Sequence, residues 1–194
     1  MGTRGITLIE LLVAIAVLSI LVLTLGFSFQ GWIGKYDTER TIKELYSDLM
    51  TARARAMQKN RMHYVLFPDT SSFSLYEDTS DGANKVNDGD GRLQTGTGPG
   101  ADSELPTFPK SLHDPFALTW NLAFGGDRIT FDQRGQLYPN GTLCMFTDFD
   151  EDEMSDYDPD YDCIVLSQTR ITLGKLRKQN TGGGHCNADN CEKL

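Results

Sequence analysis

The sequence predicts an α+β fold: a long N-terminal helix, transmembrane in its first half and amphipathic in its second, packed on an antiparallel β-sheet domain. Three observations predict it. An apolar run of 24 residues, Ile6 to Phe29, carries a single charge, Glu10. Ile42, Leu45, Tyr46, Leu49, Ala52 and Ala56 then recur at helical spacing, an amphipathic stripe that needs a sheet to cover it. Beyond residue 61 the pattern changes to short apolar segments divided by Gly, Pro, Asn and Asp, which read as strands and turns.

A helix of 24 residues is about 36 Å long and crosses a hydrocarbon core of about 30 Å. A secretory signal fits poorly, because its apolar region is shorter and ends in a small-residue cleavage site, which the stretch Phe27 to Trp32 lacks. Arg4 and the amino terminus favour a cytoplasmic start and an exported remainder. Glu10 stands out, since an ionised carboxylate at the centre of a membrane helix costs roughly 2.5–3.5 kcal/mol. On charge alone Glu10 is either functional or close enough to the cytoplasmic face to reach water.

The segment Gly5-Ile6-Thr7-Leu8-Ile9-Glu10-Leu11-Leu12-Val13 closely resembles the processing signal of type IV prepilins and type II secretion pseudopilins. The resemblance implies cleavage after Gly5 by a prepilin peptidase, N-methylation of the new terminus at Ile6, and a filament role for Glu10. Most members carry Phe where Ile6 stands, a mild departure. The physics is compatible: a free amine at Ile6 and the Glu10 carboxylate are opposite charges that an apolar environment drives together. Glu10 of an incoming subunit can then neutralise its neighbour's amine and set the axial register.

The chain divides into a leader (1–5), a transmembrane and filament-core helix (6–29), its amphipathic continuation (30–60), a periplasmic β-rich domain (61–175) and a flexible Gly-rich tail (176–194). Gly26, Gly31 and Gly34 each cost about 1 kcal/mol of helix propensity, so residues 26–34 read as a bendable joint. Arg53, Arg55, Lys59 and Arg61 suit a solvated last helical turn, where cations complement the dipole; a partner-binding patch is the alternative. Residues 62–67 and 72–76 read as a hairpin, and 78–114 as a long flexible insertion rich in Gly, Asp, Ser, Thr and Pro. Further strands are predicted around 116–124, 128–131, 136–138, 141–146 and 163–173, with Asn140-Gly141 as a turn.

This order, with the segment Tyr46 to Met57 and the stretches Ile129 to Gly135 and Ile164 to Ile171, looks like the GspH/FimT branch of the pseudopilins. The likeness covers roughly residues 2–77 and 128–175. It leaves out the 78–114 insertion, the acidic segment and the tail.

The 194 residues carry a formal net charge of -9, which argues against a general nucleic-acid binder. The acidity is local: Asp148 to Asp162 holds nine carboxylates and no basic group. One reading is a solvated acidic loop (148–162) that keeps the subunit soluble. The other is a calcium site, with Asp148, Asp150, Asp152, Asp156, Asp158 and Asp160 at alternating positions supplying the hard oxygens that Ca²⁺ prefers. It is not an EF-hand, because Glu153 stands where Gly is required and Pro159 where the bidentate Glu belongs. Asn87 to Gly91 is a weaker candidate. No cofactor is required, and calcium is the one candidate ligand.

Four cysteines in an exported domain favour disulfides. Cys144 and Cys163 flank the acidic segment and are expected to pair, as are Cys186 and Cys191 locally. His185 with Cys186 and Cys191 lacks the spacing and the fourth ligand of a zinc site. No catalytic residues are assigned and the chain is read as a non-enzyme: it has no nucleophile elbow, phosphate-binding glycine loop or His-Glu-x-x-His pattern. Some pilin-like proteins of this branch take up DNA and carry Gly-Arg-x-Arg-x-Gly on the last strand. Here Thr169 to Gly174 keeps Arg170 alone, followed by Lys175 and Arg177, a reduced nucleic-acid patch.

The expectation is therefore a minor pilin or pseudopilin of a type IV pilus or type II secretion pseudopilus that helps to initiate or cap assembly. It is anchored by a single pass in the bacterial inner membrane, with its C-terminal domain in the periplasm. Its partners are other pilins or pseudopilins through the N-terminal helix, prepilin peptidase and the membrane, with nucleic acid disfavoured. The alternatives are a DNA-uptake pilin and a membrane-anchored periplasmic calcium-binding domain.

Overall fold

The computed structural model describes residues 7–80, 89–98, 100–112, 117–146, 157–177, 186 and 188–193, with backbone alone at 23–31, 146 and 193. Helix α1 runs Leu8–Lys59 without a break, 52 residues and about 78 Å at 1.5 Å per residue. Thr7 caps its start: the Thr7 hydroxyl accepts the Glu10 N–H at 3.3 Å, and the Glu10 carboxylate accepts the Thr7 N–H at 3.4 Å. This reciprocal capping box satisfies two amide donors that the first helical turn leaves over. Asn60 closes the other end in the left-handed region, φ 53°, its N–H donating to the Ala56 carbonyl.

The strands are β1 His63–Asp69, β2 Ser72–Glu77, β3 Ser103–Glu104, β4 Lys110–Ser111, β5 Ala117–Leu122, β6 Arg128–Phe131, β7 Leu137–Tyr138, β8 Gly141–Phe146, β9 Cys163–Leu166, β10 Ile171–Leu176 and β11 Cys191–Lys193. They form two antiparallel sheets. The first has order β3-β2-β1-β6-β7, with β4 also on β2; the second has order β11-β10-β9-β8-β5. Asp69 shapes the first hairpin by accepting the Ser71 N–H at 2.8 Å and the Ser72 hydroxyl at 3.0 Å.

One core joins helix and sheets. Ile42, Leu45, Leu49, Ala52 and Ala56 of α1 are buried with Val65, Phe67, Phe73, Leu75, Ile129 and Phe131 of the first sheet. Leu118, Leu143, Met145, Ile164, Leu166 and Ile171 of the second sheet complete it. Tyr46 packs at the margin. The alanines let the helix lie close to the strands, and the stripe supplies the burial that an isolated helix of this composition lacks.

Three expectations need correction. The apolar run 163–173 is two strands: Ser167 and Arg170 exchange backbone hydrogen bonds at 2.8 and 3.2 Å and turn β9 into β10. The described parts of the 78–114 insertion are built into the fold, because β3 and β4 extend the first sheet. There the Asp102 carboxylate accepts the N–H groups of Thr79, Ser80 and Gln94 at 2.9–3.1 Å. The 176–194 segment is no free tail in its described parts, since Leu176 ends β10 and Cys191–Lys193 forms β11 on it.

Candidate functional site

The described apolar side chains in the N-terminal half of α1 are exposed. Leu8, Leu11, Leu12, Ile15, Leu18, Leu21 and Val22 are all at least half exposed. Ser19 turns its hydroxyl inward to the Ile15 carbonyl at 2.8 Å, so this polar side chain is satisfied by the helix itself. Among the described residues no helix is long and apolar enough to cross a membrane; residues 23–31, which continue the run, are described by backbone alone. Gly5 and Ile6 lie outside the described residues. Glu10 is exposed at the helix start, four residues from the predicted new terminus, and its carboxylate is engaged by the capping box.

Where α1 leaves the apolar half, the end of the acidic segment clamps it. Tyr157 lies against Gly34, where any Cβ would collide with the phenol ring. Asp160 pairs with Lys35 at 3.1 Å, and its N–H donates to Glu39 Oε1 at 2.9 Å. Lys43 reaches back to Glu39 at 2.9 Å and stands 4.6 Å over the Tyr161 ring. Burial raises the Glu39 pKa, but the Asp160 N–H and Lys43 overcome it and hold the carboxyl below its usual range. Gly34 therefore has a packing role in place of the expected hinge.

Asp162 anchors the clamp to the second sheet. Its carboxylate accepts the Leu176 N–H at 2.6 Å, and its backbone bonds Met145 and Gly174. Burial pushes its carboxyl up to about 6, opposed by the Leu176 N–H and by Lys175. Asp158 pairs with Lys175 at 2.9 Å. The two described members of the expected calcium set, Asp158 and Asp160, are thus both engaged by lysines, while Asp148, Asp150, Asp152 and Asp156 lie outside the described residues. Among the described residues no group of three acidic, histidine or cysteine side chains is placed to hold a metal.

The cysteines pair otherwise than expected: Cys144 with Cys186 and Cys163 with Cys191, with Cα–Cα distances of 5.5 and 6.2 Å. Cys144 and Cys163 are indeed opposite each other on β8 and β9. Cys186 and Cys191, however, each reach one of them, and the four cysteines form a small second core with Val165 and Leu176. Cys191 and Cys163 lie on strands flanking β10, yet their Cα separation is well under two strand spacings of about 9.6 Å. The sheet therefore folds over at Gly174, where a Cβ would stand 2.7 Å from Cys191 Sγ and strike the Glu192 carbonyl.

The expected nucleic-acid patch is charge-compensated. Lys175 is held by Asp158, and Arg177 by Glu192 at 2.6 Å; Arg170 is exposed in the β9–β10 turn. At the end of α1, Lys59 and Arg61 both pair with Glu77, so half of that basic cluster ties helix to sheet. Sequence reasoning missed Gly34, Tyr157, Asp162 and Gly174 as working residues. The signal for Gly34 was its place in a helix, where only close packing justifies a glycine.

A continuous helix with an exposed apolar N-terminal half, begun by the Thr7–Glu10 capping box and packed at its other half on a two-sheet head, is the architecture of a pilin-like filament subunit. The prokaryotic N-terminal methylation motif matches residues 1–26, the mark of membrane-anchored subunits that enter such filaments. The family model for type II transport protein GspH matches residues 41–169. The chain belongs to the GspH family and is a pseudopilin of type II secretion. Two solved structures of the minor pseudopilin EpsH from the type 2 secretion system of Vibrio cholerae are similar to it. One is 14% identical, covering 72% of this chain and 97% of that one at a TM-score of 0.47. The other is 13% identical, covering 76% and 99% at a TM-score of 0.47. No match was found among curated proteins.

Proposed function

We propose that the chain is cleaved after Gly5 by prepilin peptidase, methylated at Ile6, and held in the inner membrane with its head in the periplasm. From there it enters the pseudopilus at low copy as a minor subunit that starts or caps assembly. The observation that carries this reading is the division of α1 into an exposed apolar half, beginning at the Thr7–Glu10 capping box, and a half bolted to the head. The apolar half is then the part shared with other pseudopilins, and packing between subunits holds the filament. Glu10 has two roles in sequence: it caps its own helix in the free subunit and meets the Ile6 amine of a neighbour on insertion. The test is incorporation of Glu10→Ala and Glu10→Gln subunits into pseudopili. Loss of incorporation in both supports the reading; wild-type incorporation in both contradicts the register role.

A further inference from the structure

Trp32 and Tyr36 stand one helical turn apart with ring centroids 6.2 Å apart and planes stacked at 19°. They are 65% and 58% exposed, and Ile33 beside them is 50% exposed. At about 100° per residue the pair points away from Gly34, Thr38 and Leu45, the buried residues through which α1 meets the head. The pair also ends a stripe that winds slowly round the helix, by about 20° every seven residues. Leu8, Leu11, Ile15, Leu18 and Val22 follow one another at alternating steps of three and four residues, each at least half exposed. The sequence puts Leu25 and Phe29 at the intervening steps before Trp32 and Tyr36.

The length of this stripe gives the pair its meaning. From Leu8 to Trp32 the helix rises about 36 Å, against a hydrocarbon core of about 30 Å. With the apolar end in the bilayer, Trp32 and Tyr36 fall in the headgroup layer on the side of the head. Their chemistry fits that layer, since each ring has an apolar body and one polar edge, the indole N–H or the phenol O–H. A protein partner fits less well, because helix seams within membranes favour small residues that allow close approach.

We propose that Trp32 and Tyr36 form an interfacial anchor that binds the lipid headgroup layer and fixes the depth of the subunit in the membrane before assembly. This rests on the membrane-anchored reading. The test uses the full chain reconstituted in vesicles of phosphatidylethanolamine and phosphatidylglycerol carrying a nitroxide quencher either near the headgroup or near the chain end. Flotation is measured in parallel. The protein is expected to float with the vesicles, with tryptophan emission quenched more by the shallow probe than by the deep one. Trp32→Phe should abolish that quenching, because the remaining Trp120 packs on Phe67 in the head at 5.3 Å. Flotation with equal, deeper or no quenching overturns the anchor while leaving the membrane reading intact; absence of quenching would mean that protein covers the face instead. Failure to float overturns both.

Discussion

The Tyr157 ring rests on the backbone of α1 at Gly34, in space that any side chain at that position would fill. This contact, with Lys35–Asp160 beside it, fastens the end of the acidic segment to α1. Gly34→Ala should therefore lower stability, although alanine is about 1 kcal/mol the better helix former, because overpacking costs about 1–3 kcal/mol. In a Tyr157→Ala background the sign should reverse. A double-mutant cycle by thermal unfolding reads the coupling; additive effects would show that the ring does not bear on Gly34.

Asp162 makes stability depend on pH in an unusual direction. Its carboxyl is held up to about 6 in the fold, against about 3.9 in an unfolded chain. The folded state therefore binds the extra proton, and stability falls as pH rises from about 4 to about 6, by about 3 kcal/mol at most. Asp162→Asn keeps an acceptor for the Leu176 N–H and should remove this slope, raising the melting temperature at neutral pH. Parallel pH profiles for the two proteins would rule the assignment out.

The disulfides are predicted to appear as Cys144–Cys186 and Cys163–Cys191 in peptides mapped without reduction. Replacing Cys163 and Cys191 together by serine opens a loop with a sequence separation of 28, which costs about 3–4 kcal/mol in the chain-entropy model. Gly174→Ala should weaken the same corner with both bridges intact. Recovery of Cys144–Cys163 peptides would contradict the fold-over of β11.

Ala52 and Ala56 are fully buried where α1 lies on the strands. Ala52→Leu should cost about 1–3 kcal/mol by forcing helix and sheet apart, whereas the same change at exposed Ala54 should be nearly neutral. Equal effects at both positions, read from denaturant midpoints, would refute the packing of this stripe.

Much of this architecture is local and so was visible in the residues. The stripe Ile42 to Ala56 repeats with the helical period, whereas the Thr7–Glu10 cap, though just as local, appears only in the structure. The hairpin at Asp69 to Ser72 carries its own turn chemistry. The rest depends on meetings between distant segments. Nothing near Cys144 says that its partner is Cys186 rather than the Cys163 opposite it. Gly34 reads as a weak point of a helix until Tyr157 arrives. The acidic segment reads as uniform, yet Asp160 is drawn to Lys35 of α1, while Asp158 and Asp162 are drawn to Lys175 and the Leu176 amide of β10. Strand order is equally non-local, whereas the run 163–173 hid a local turn, because Ser167 to Arg170 carries no Gly or Pro to mark it.

Mass spectrometry of the native N-terminus decides whether the chain is processed as a pseudopilin. A chain beginning at N-methylated Ile6 is the expected result, and an intact Met1 would overturn that processing.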